Sequence, residues 1–327
     1  MKPFLIHTHF HKRKTGVTRS IENVLPFFSD EFETYVYGYN VDGVKINTPK
    51  LKKILFSNQK VTVHCHRNNE ILRMLWYRFL GANFLLIATR HSETMPSRLT
   101  KFLLKKADKV ITLINSVSSN LKIKNTVIGH GIKINEFEPK KNVILNDIKQ
   151  ENIILNAGRV RKAKGQLTLL EAAKTLKNHD NWALVIVGQV DKPEFLSELK
   201  SITKKHNIEN QVYFVDETRD IISYYQAAKI VIAPSFSEGF SLVTAEAMAC
   251  ECSVIATKNV GVHSDLITHK KNGYLFEAGN VEELKTILSK NITGEFPLLG
   301  QAAREEIVNN WSAKKEAKKL MKIYQSN

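Results

Sequence analysis

The chain lacks several things that would define a protein class. It has only three cysteines, Cys65, Cys250 and Cys252, an odd number with no framework spacing. That excludes a disulfide-stapled scaffold and suits a reducing compartment. Its 15 glycines and 8 prolines are too few for a collagen-like or low-complexity chain. The apolar runs at residues 84–88 and 184–188 are strand-sized, well short of the roughly 18 apolar residues of a spanning helix. The start, Met1 to Ile6, has neither a long apolar region nor a small-residue cleavage site, so any membrane contact is expected to be peripheral. No Asp-x-Asp pair occurs, which argues against transferases that hold a diphosphate through Mg²⁺ or Mn²⁺ on such a motif. Acidic side chains are also scarce: 32 Asp and Glu stand against 48 Lys and Arg, a net charge of +16.

What is present is a chain of 327 residues, 43% apolar, long enough for two domains that each bury a core. Residues 1–150 hold 25 Lys and Arg against 11 Asp and Glu, whereas residues 151–327 hold 23 against 21. The excess of positive charge therefore belongs to the first half and points to an anionic partner: nucleic acid, anionic lipid or a phosphorylated substrate. Nucleic acid is the weakest of these, because the basic residues are not interleaved with stacking aromatics and no recognition motif occurs.

Short apolar runs alternate with amphipathic stretches in both halves, the pattern of parallel sheets covered by helices. It predicts strands at residues 4–9, 35–39, 61–66, 84–89, 110–114 and 126–128, and again at 153–157, 183–187, 212–215, 230–233 and 254–256. Helices are expected at 18–28, 69–80, 99–107 and 116–121, then at 166–176, 192–205, 221–228, 241–249, 281–289 and 301–309. The fold class is α/β, two Rossmann-like doubly wound domains at about 1–140 and 151–310. A proline and a charge cluster place the boundary between Asn135 and Glu151. Chemistry is expected in the loops beyond the carboxyl ends of the strands, in a cleft between domains.

Two such loops carry suitable residues. Gly158-Arg-Val-Arg-Lys-Ala-Lys-Gly165 sets four cations before a helix, where free N–H groups and the dipole already favour an anion. Arg159 can fork onto two oxygens and Lys164 adds a point charge; a solvated basic turn explains the loop equally well. The second loop places Glu238 before a helix and Glu246 within it. Gly239 permits close backbone approach, and the amides of Gly239, Phe240 and Ser241 are candidates to face an anion or sugar hydroxyl. Alone, the two glutamates read more readily as one charge on the helix dipole and one on the surface.

Three further signals are weaker. His64-Cys-His66 resembles a metal cluster, but strand alternation puts both histidines on one face and Cys65 on the other, and no fourth ligand has suitable spacing. The expectation is a strand end lining the cleft, with no metal. His91 follows a buried strand and reads first as a structural histidine. From Arg98 to Lys109, Arg98, Lys101, Lys105 and Lys109 recur at helical spacing beside Leu99, Phe102 and Leu103, which fits either an anionic lipid surface or a solvated face.

The stretches "NAGRVRKAKGQLTLLEA", "APSFSEGFSLVTAEAMAC", "VIATKNVGVHSDLI" and "NGYLFEAGNVEEL", with "KADKVITLINSVSSNL" and "VIGHGI" before them, resemble glycosyltransferase family 4, the retaining enzymes of GT-B fold. The opening "HTHFHKRKTGVTRSIENVLP", with "RHSETMPSR", is most similar to lipopolysaccharide-core mannosyltransferases. The resemblance implies a metal-independent transfer of a hexose from a GDP- or UDP-linked sugar to a lipid-linked saccharide. It assigns Arg159 and Lys164 to the donor diphosphate, Glu238 to the sugar hydroxyls and Glu246 to the ribose. It sets Gly16 near the phosphates and acceptor, His91 beside the transferred sugar, and Gly261 in the last ligand loop. It also implies that residues 311–327 pack back on the first domain. The cysteine usage and the basic first half give the expected location, cytoplasmic and peripheral on the inner face of the membrane. The sequence departs from the pattern at Lys14-Thr-Gly-Val-Thr18, with one glycine where relatives have two. Cys250-Glu-Cys-Ser253 lacks a glycine and proline, and Lys133 stands where aspartate is common. A nucleotide-sugar epimerase shares the fold, but its acid/base carboxylates would have to come from Glu70 and Glu93.

Overall fold

A computed structural model describes residues 2–326. The chain forms two compact units, Met1–Gly131 with Trp311–Asn327, and Ile132–Asn310.

The first unit is built on a six-stranded parallel sheet of β1 (Phe4–His9), β2 (Glu33–Gly38), β3 (Val61–Cys65), β4 (Leu85–Arg90), β5 (Lys109–Thr112) and β6 (Thr126–Val127), in the order β2-β1-β3-β4-β5-β6. Its helices are α1 (Gly16–Val24), α2 (Thr48–Leu55), α3 (Asn68–Phe79), α4 (Arg98–Lys106) and α5 (Asn115–Leu121). Strand alternation divides the core into layers. Ile6, Val63, Cys65, Leu86 and Ala88 pack with Leu103 and Leu104 of α4, whereas Leu5, Ile87 and Ile111 point to the other side. The helix expected to reach Phe28 ends at Val24 and tightens into a 3₁₀ turn at Leu25–Phe28, because Pro26 cannot donate to the helical ladder. The sequence pattern did not reveal α2. It starts at Asn47, whose Oδ1 accepts the Lys50 N–H at 3.0 Å, and it carries Pro49 in its first turn, where no N–H is needed.

The second unit repeats the plan with β7 (Asn152–Ala157), β8 (Trp182–Val187), β9 (Val212–Val215), β10 (Ala228–Ala233), β11 (Ser253–Thr257) and β12 (Tyr274–Phe276), ordered β12-β11-β10-β7-β8-β9. β8 is buried at every residue, as expected of a strand covered on both faces. The helices are α6 (Gln166–Ala172), α7 (Pro193–Lys205), α8 (Ile221–Ala227), α9 (Leu242–Ala249), α10 (His263–Leu266), α11 (Val281–Thr293) and α12 (Gly300–Asn310). The short elements β12 and α10 were not legible as periodic segments.

The last helix, α13 (Ala313–Gln325), belongs to the first unit. Its Ala317, Leu320 and Tyr324 join Leu5, Val24, Phe28, Ile87, Ile111 and Ile128 in one core cluster. The division between units falls at Gly131/Ile132 rather than between Asn135 and Glu151. The reason is packing: the Phe137 ring lies 6.1 Å from that of Tyr225, the Phe137 carbonyl accepts from Arg304, and the Glu138 carbonyl accepts from Gln226. A charged, proline-containing stretch is thereby held on the second unit.

Candidate active site

In the second unit the loops that follow the parallel strands β7, β8, β10 and β11 lie at one end of the sheet, and the sequence-predicted residues fall on them. After β7, the 3₁₀ turn Lys162–Lys164 leads through Gly165 into α6. Gly165 adopts φ +72°, and a Cβ there would stand 1.9 Å from the Pro234 carbonyl oxygen. Only glycine allows the β7 loop and the β10 loop to touch. The Phe236 N–H then donates to the Ala163 carbonyl at 2.9 Å, joining the two loops by a backbone hydrogen bond.

This joint brings Lys164 to Glu238. The ammonium sits 2.5 Å from Glu238 Oε1, with both side chains largely buried, and the Ser235 hydroxyl donates to the same oxygen at 2.7 Å. Charge-assisted contacts in such surroundings are stronger than exposed ones. Gly261, on the loop after β11, carries φ +54°, and a Cβ there would lie 2.6 Å from the Glu238 Cβ. Gly261 therefore makes room for the Glu238 loop. Arg159 is half-exposed, with Nη2 2.5 Å and Nε 2.8 Å from Asp191 Oδ1 on the loop after β8. Gln166, buried behind it, donates to the Arg159 carbonyl at 3.1 Å.

Gly239 is half-buried and Phe240 buried, while Ser241 caps α9 with φ +70°. A left-handed backbone is uncommon for serine and carries local strain. The Ser241 and Thr244 hydroxyls lie 3.0 Å apart. Glu246, inside α9, is buried and its Oε2 accepts the Tyr225 hydroxyl at 3.1 Å. Cys250 follows, its thiol pushed up to about 12 by burial and then by Glu246.

Sequence reasoning did not single out Asp191, Ser235, Tyr225 or His263. His263 is fully buried on α10; its Nδ1 meets the Thr257 carbonyl at 3.0 Å and its Nε2 has no hydrogen-bond partner. Burial lowers its pKa to about 4, against an upward pull from Glu238. Asp191 was findable in principle, since it follows the strand adjacent to β7 at the same sheet edge. The others had no local signal.

In the first unit, Gly16 opens α1, exposed, next to Thr15, whose N–H donates to Thr18 Oγ1 at 2.9 Å. His91 follows β4 and is the middle of a chain of imidazoles. Its Nε2 is 3.0 Å from His66 Nδ1 and its Nδ1 is 3.2 Å from His130 Nε2. The chain continues from His66 Nε2 to His7 Nδ1 at 3.3 Å, and ends at the other side with His130 Nδ1 on Glu316 Oε1 at 3.2 Å. Burial lowers the pKa of His91 well below its ordinary value, reinforced by His130 and Arg67. His64 and His66 do share a face, with rings 4.4 Å apart, and Cys65 points into the apolar core. His7 joins them because β1 pairs with β3 and sets His7 opposite His64. No fourth ligand with suitable spacing follows along the sequence, but a third imidazole comes from another strand, which such spacing cannot show.

Glu70 accepts the Thr8 hydroxyl at 2.9 Å and the backbone N–H groups of Phe10 and His66 at 2.9 and 2.7 Å. It is committed to holding β1 and β3 together. In α4, Leu103 points into the core rather than standing beside the basic residues, and Lys109 lies on β5, because the helix ends at Lys106 and the backbone extends at Ala107.

Residues 136–311 match the family described as Glycosyl transferases group 1. The chain is 26% identical over 340 residues, covering 98% of it and 96% of the relative, to the lipopolysaccharide core biosynthesis mannosyltransferase LpcC of Rhizobium leguminosarum bv. viciae. It is 28% identical over 279 residues to the mannosyltransferase LpsB of Rhizobium meliloti, covering 80% of this chain and 78% of that one. Among solved structures, Anabaena HepE in complex with UDP superposes with a TM-score of 0.84 at 17% identity, over the full length of both chains. The fold is that of the GT-B glycosyltransferases.

Proposed function

The chain belongs to the family Glycosyl transferases group 1, and from that premise we propose that it is a retaining hexosyltransferase of family 4. In this reading it moves mannose from a nucleotide-diphosphate sugar, GDP- or UDP-linked, to a lipopolysaccharide-core or other lipid-linked saccharide. The observation that carries the proposal is the largely buried Lys164–Glu238 pair at the joint of two strand-end loops, with Arg159 held on Asp191 at the same end of the sheet. Both cations are held by a carboxylate that a diphosphate would outcompete. Lys164 and Arg159 then stabilise the leaving group's charge, and Glu238, released, accepts from the donor sugar's hydroxyls. Glu246 takes the ribose, and the backbone of Gly239, Phe240 and Ser241, with Gly261, shapes the loop around the ligand.

The bond from the anomeric carbon to the phosphate oxygen breaks while the acceptor oxygen bonds to the same face. The acceptor's proton passes to the departing phosphate, so no protein base and no metal on the diphosphate is required. Gly16 and His91 belong to the acceptor side. The epimerase reading is not favoured, since Glu70 is already committed to two backbone N–H groups and a threonine.

No described helix is long and apolar enough to cross a membrane. The same reading places the enzyme on the inner face of the cytoplasmic membrane through its first unit. There α3 packs on α4, joined by Asn68 to Thr100 at 2.8 Å. Between them they expose Leu72, Trp76, Phe79 (79% exposed), Leu99 and Phe102. With Arg98, Lys101, Lys105 and Lys106 on α4, these make an amphipathic surface suited to anionic lipid.

The test is a thermal-shift panel of GDP-mannose, UDP-glucose, GDP and UDP. A true donor at about a hundred times its Kd stabilises the fold by about 2.7 kcal/mol. That shift should be lost or weakened in Glu246→Ala. No shift with any nucleotide sugar overturns the reading.

A further inference from the structure

We propose that His7, His64 and His66 form a buried site for a divalent transition metal ion of the zinc class. One ligand nitrogen from each of the three rings lies within 4.8 Å of the others. His7 Nδ1 and His66 Nε2 are already 3.3 Å apart, close to the spacing of two nitrogens that each stand about 2.0–2.1 Å from a tetrahedral ion. With Thr89, His130 and Glu316, the rings line a cavity of about 10 Å³, room for one occupant the size of a water molecule.

The surrounding hydrogen bonds prepare the ligands. The Glu316 carboxylate, which also takes the Gly131 N–H at 2.6 Å, accepts the proton of His130 Nδ1. One set of tautomers consistent with these contacts has His130 Nε2 accepting from His91 Nδ1, and His91 Nε2 from His66 Nδ1. In that set the free lone pair of His66 Nε2 faces His7. The nitrogen of His66 that faces away from His7 is thus held by His91, in the place where a ligating histidine usually has a carboxylate, carbonyl or water partner. His64 Nε2 is held by Thr89 Oγ1 at 2.7 Å, leaving Nδ1, now 2.7 Å from the Tyr324 hydroxyl, to turn to an ion. Three imidazoles without a carboxylate ligand suit Zn²⁺, Co²⁺, Ni²⁺ or Cu²⁺ rather than Mg²⁺ or Ca²⁺.

The ion's role is structural. It ties β1 to β3 beside α13, takes no part in transfer, and does not depend on the glycosyl-transfer reading. The test uses the untagged full chain, produced with added zinc and desalted, for metal analysis, together with Co²⁺ titration followed by visible absorption. One zinc per chain is expected, with the absorption bands of four-coordinate Co²⁺ and imidazole nitrogen around zinc by X-ray absorption. Both signals should be lost in His64→Gln and His66→Gln and kept in His11→Gln, and Glu316→Gln should weaken affinity by about 10–100-fold. No stoichiometric ion in the wild-type chain, an all-oxygen shell, or full binding in the two ligand variants overturns the site. If those variants do not fold, the wild-type metal content and ligand shell still decide.

Discussion

The two units share one plan, a six-stranded parallel sheet covered by helices, yet they use charge in opposite ways. Met1–Gly131 with Trp311–Asn327 carries 26 Lys and Arg against 9 Asp and Glu, a balance of +17. Ile132–Asn310 carries 22 against 23, a balance of −1. In the second unit the cations that matter are few and individually matched, Lys164 to Glu238 and Arg159 to Asp191. In the first they outnumber the carboxylates almost three to one, and the interior holds a cluster of buried histidines. The net charge of a unit and the few charges matched within it are thus separate properties, the first bearing on association and solubility rather than on fold.

Leu320→Ala deletes the α13 side chain that completes the first unit's core and should cost about 2–5 kcal/mol by urea unfolding. A cost below 1 kcal/mol would mean that α13 is dispensable there. Lys164→Ala should lower transfer by about 10²–10³-fold, as for removal of one stabiliser of developing charge, and leave vesicle binding unchanged. Wild-type turnover would dissociate the Lys164–Glu238 pair from the reaction. Replacing Lys101 and Lys105 with glutamine should weaken sedimentation with anionic vesicles by about 1 kcal/mol per charge, and Phe79→Ser should reduce the binding that persists at high salt. Equal binding by all variants would make the basic helix a solvated face.

The smallest effect lies just below neutrality. In the metal-free chain burial holds His7, His64 and His66 in their neutral form when folded, with His7 lowered to about 3 from 6.5. The unfolded chain takes up protons first, so the contribution to stability is complete above about pH 6.5 and is lost as the pH falls toward the folded value. The unfolding midpoint should fall gradually from pH 7 to 5, and less so in His7→Phe. A flat profile over that range would show that the cluster is not buried in solution.

Most strands were legible because parallel strands covered on both faces are continuous apolar runs. The elements missed, α2, α10 and β12, are short, and in α2 the helix depends on the Asn47 cap and burial of Leu51 and Leu55. The Lys164 and Glu238 loops were recognisable as motifs, but their pairing was not. Gly165 and Gly261 create it by letting three loops approach closely, and such contacts leave no periodicity.

The sequence alone determined the fold class, the charge division and the identity of the family, because these rest on local pattern and on strings of adjacent residues. Only the tertiary structure decided which side chains meet. Glu316, 186 positions from His130, ends a chain of histidines drawn from β1, β3 and the ends of β4 and β6. Parallel pairing brings together residues separated by whole helices, so a site at the strand ends is a property of strand order, which spacing along the chain does not encode.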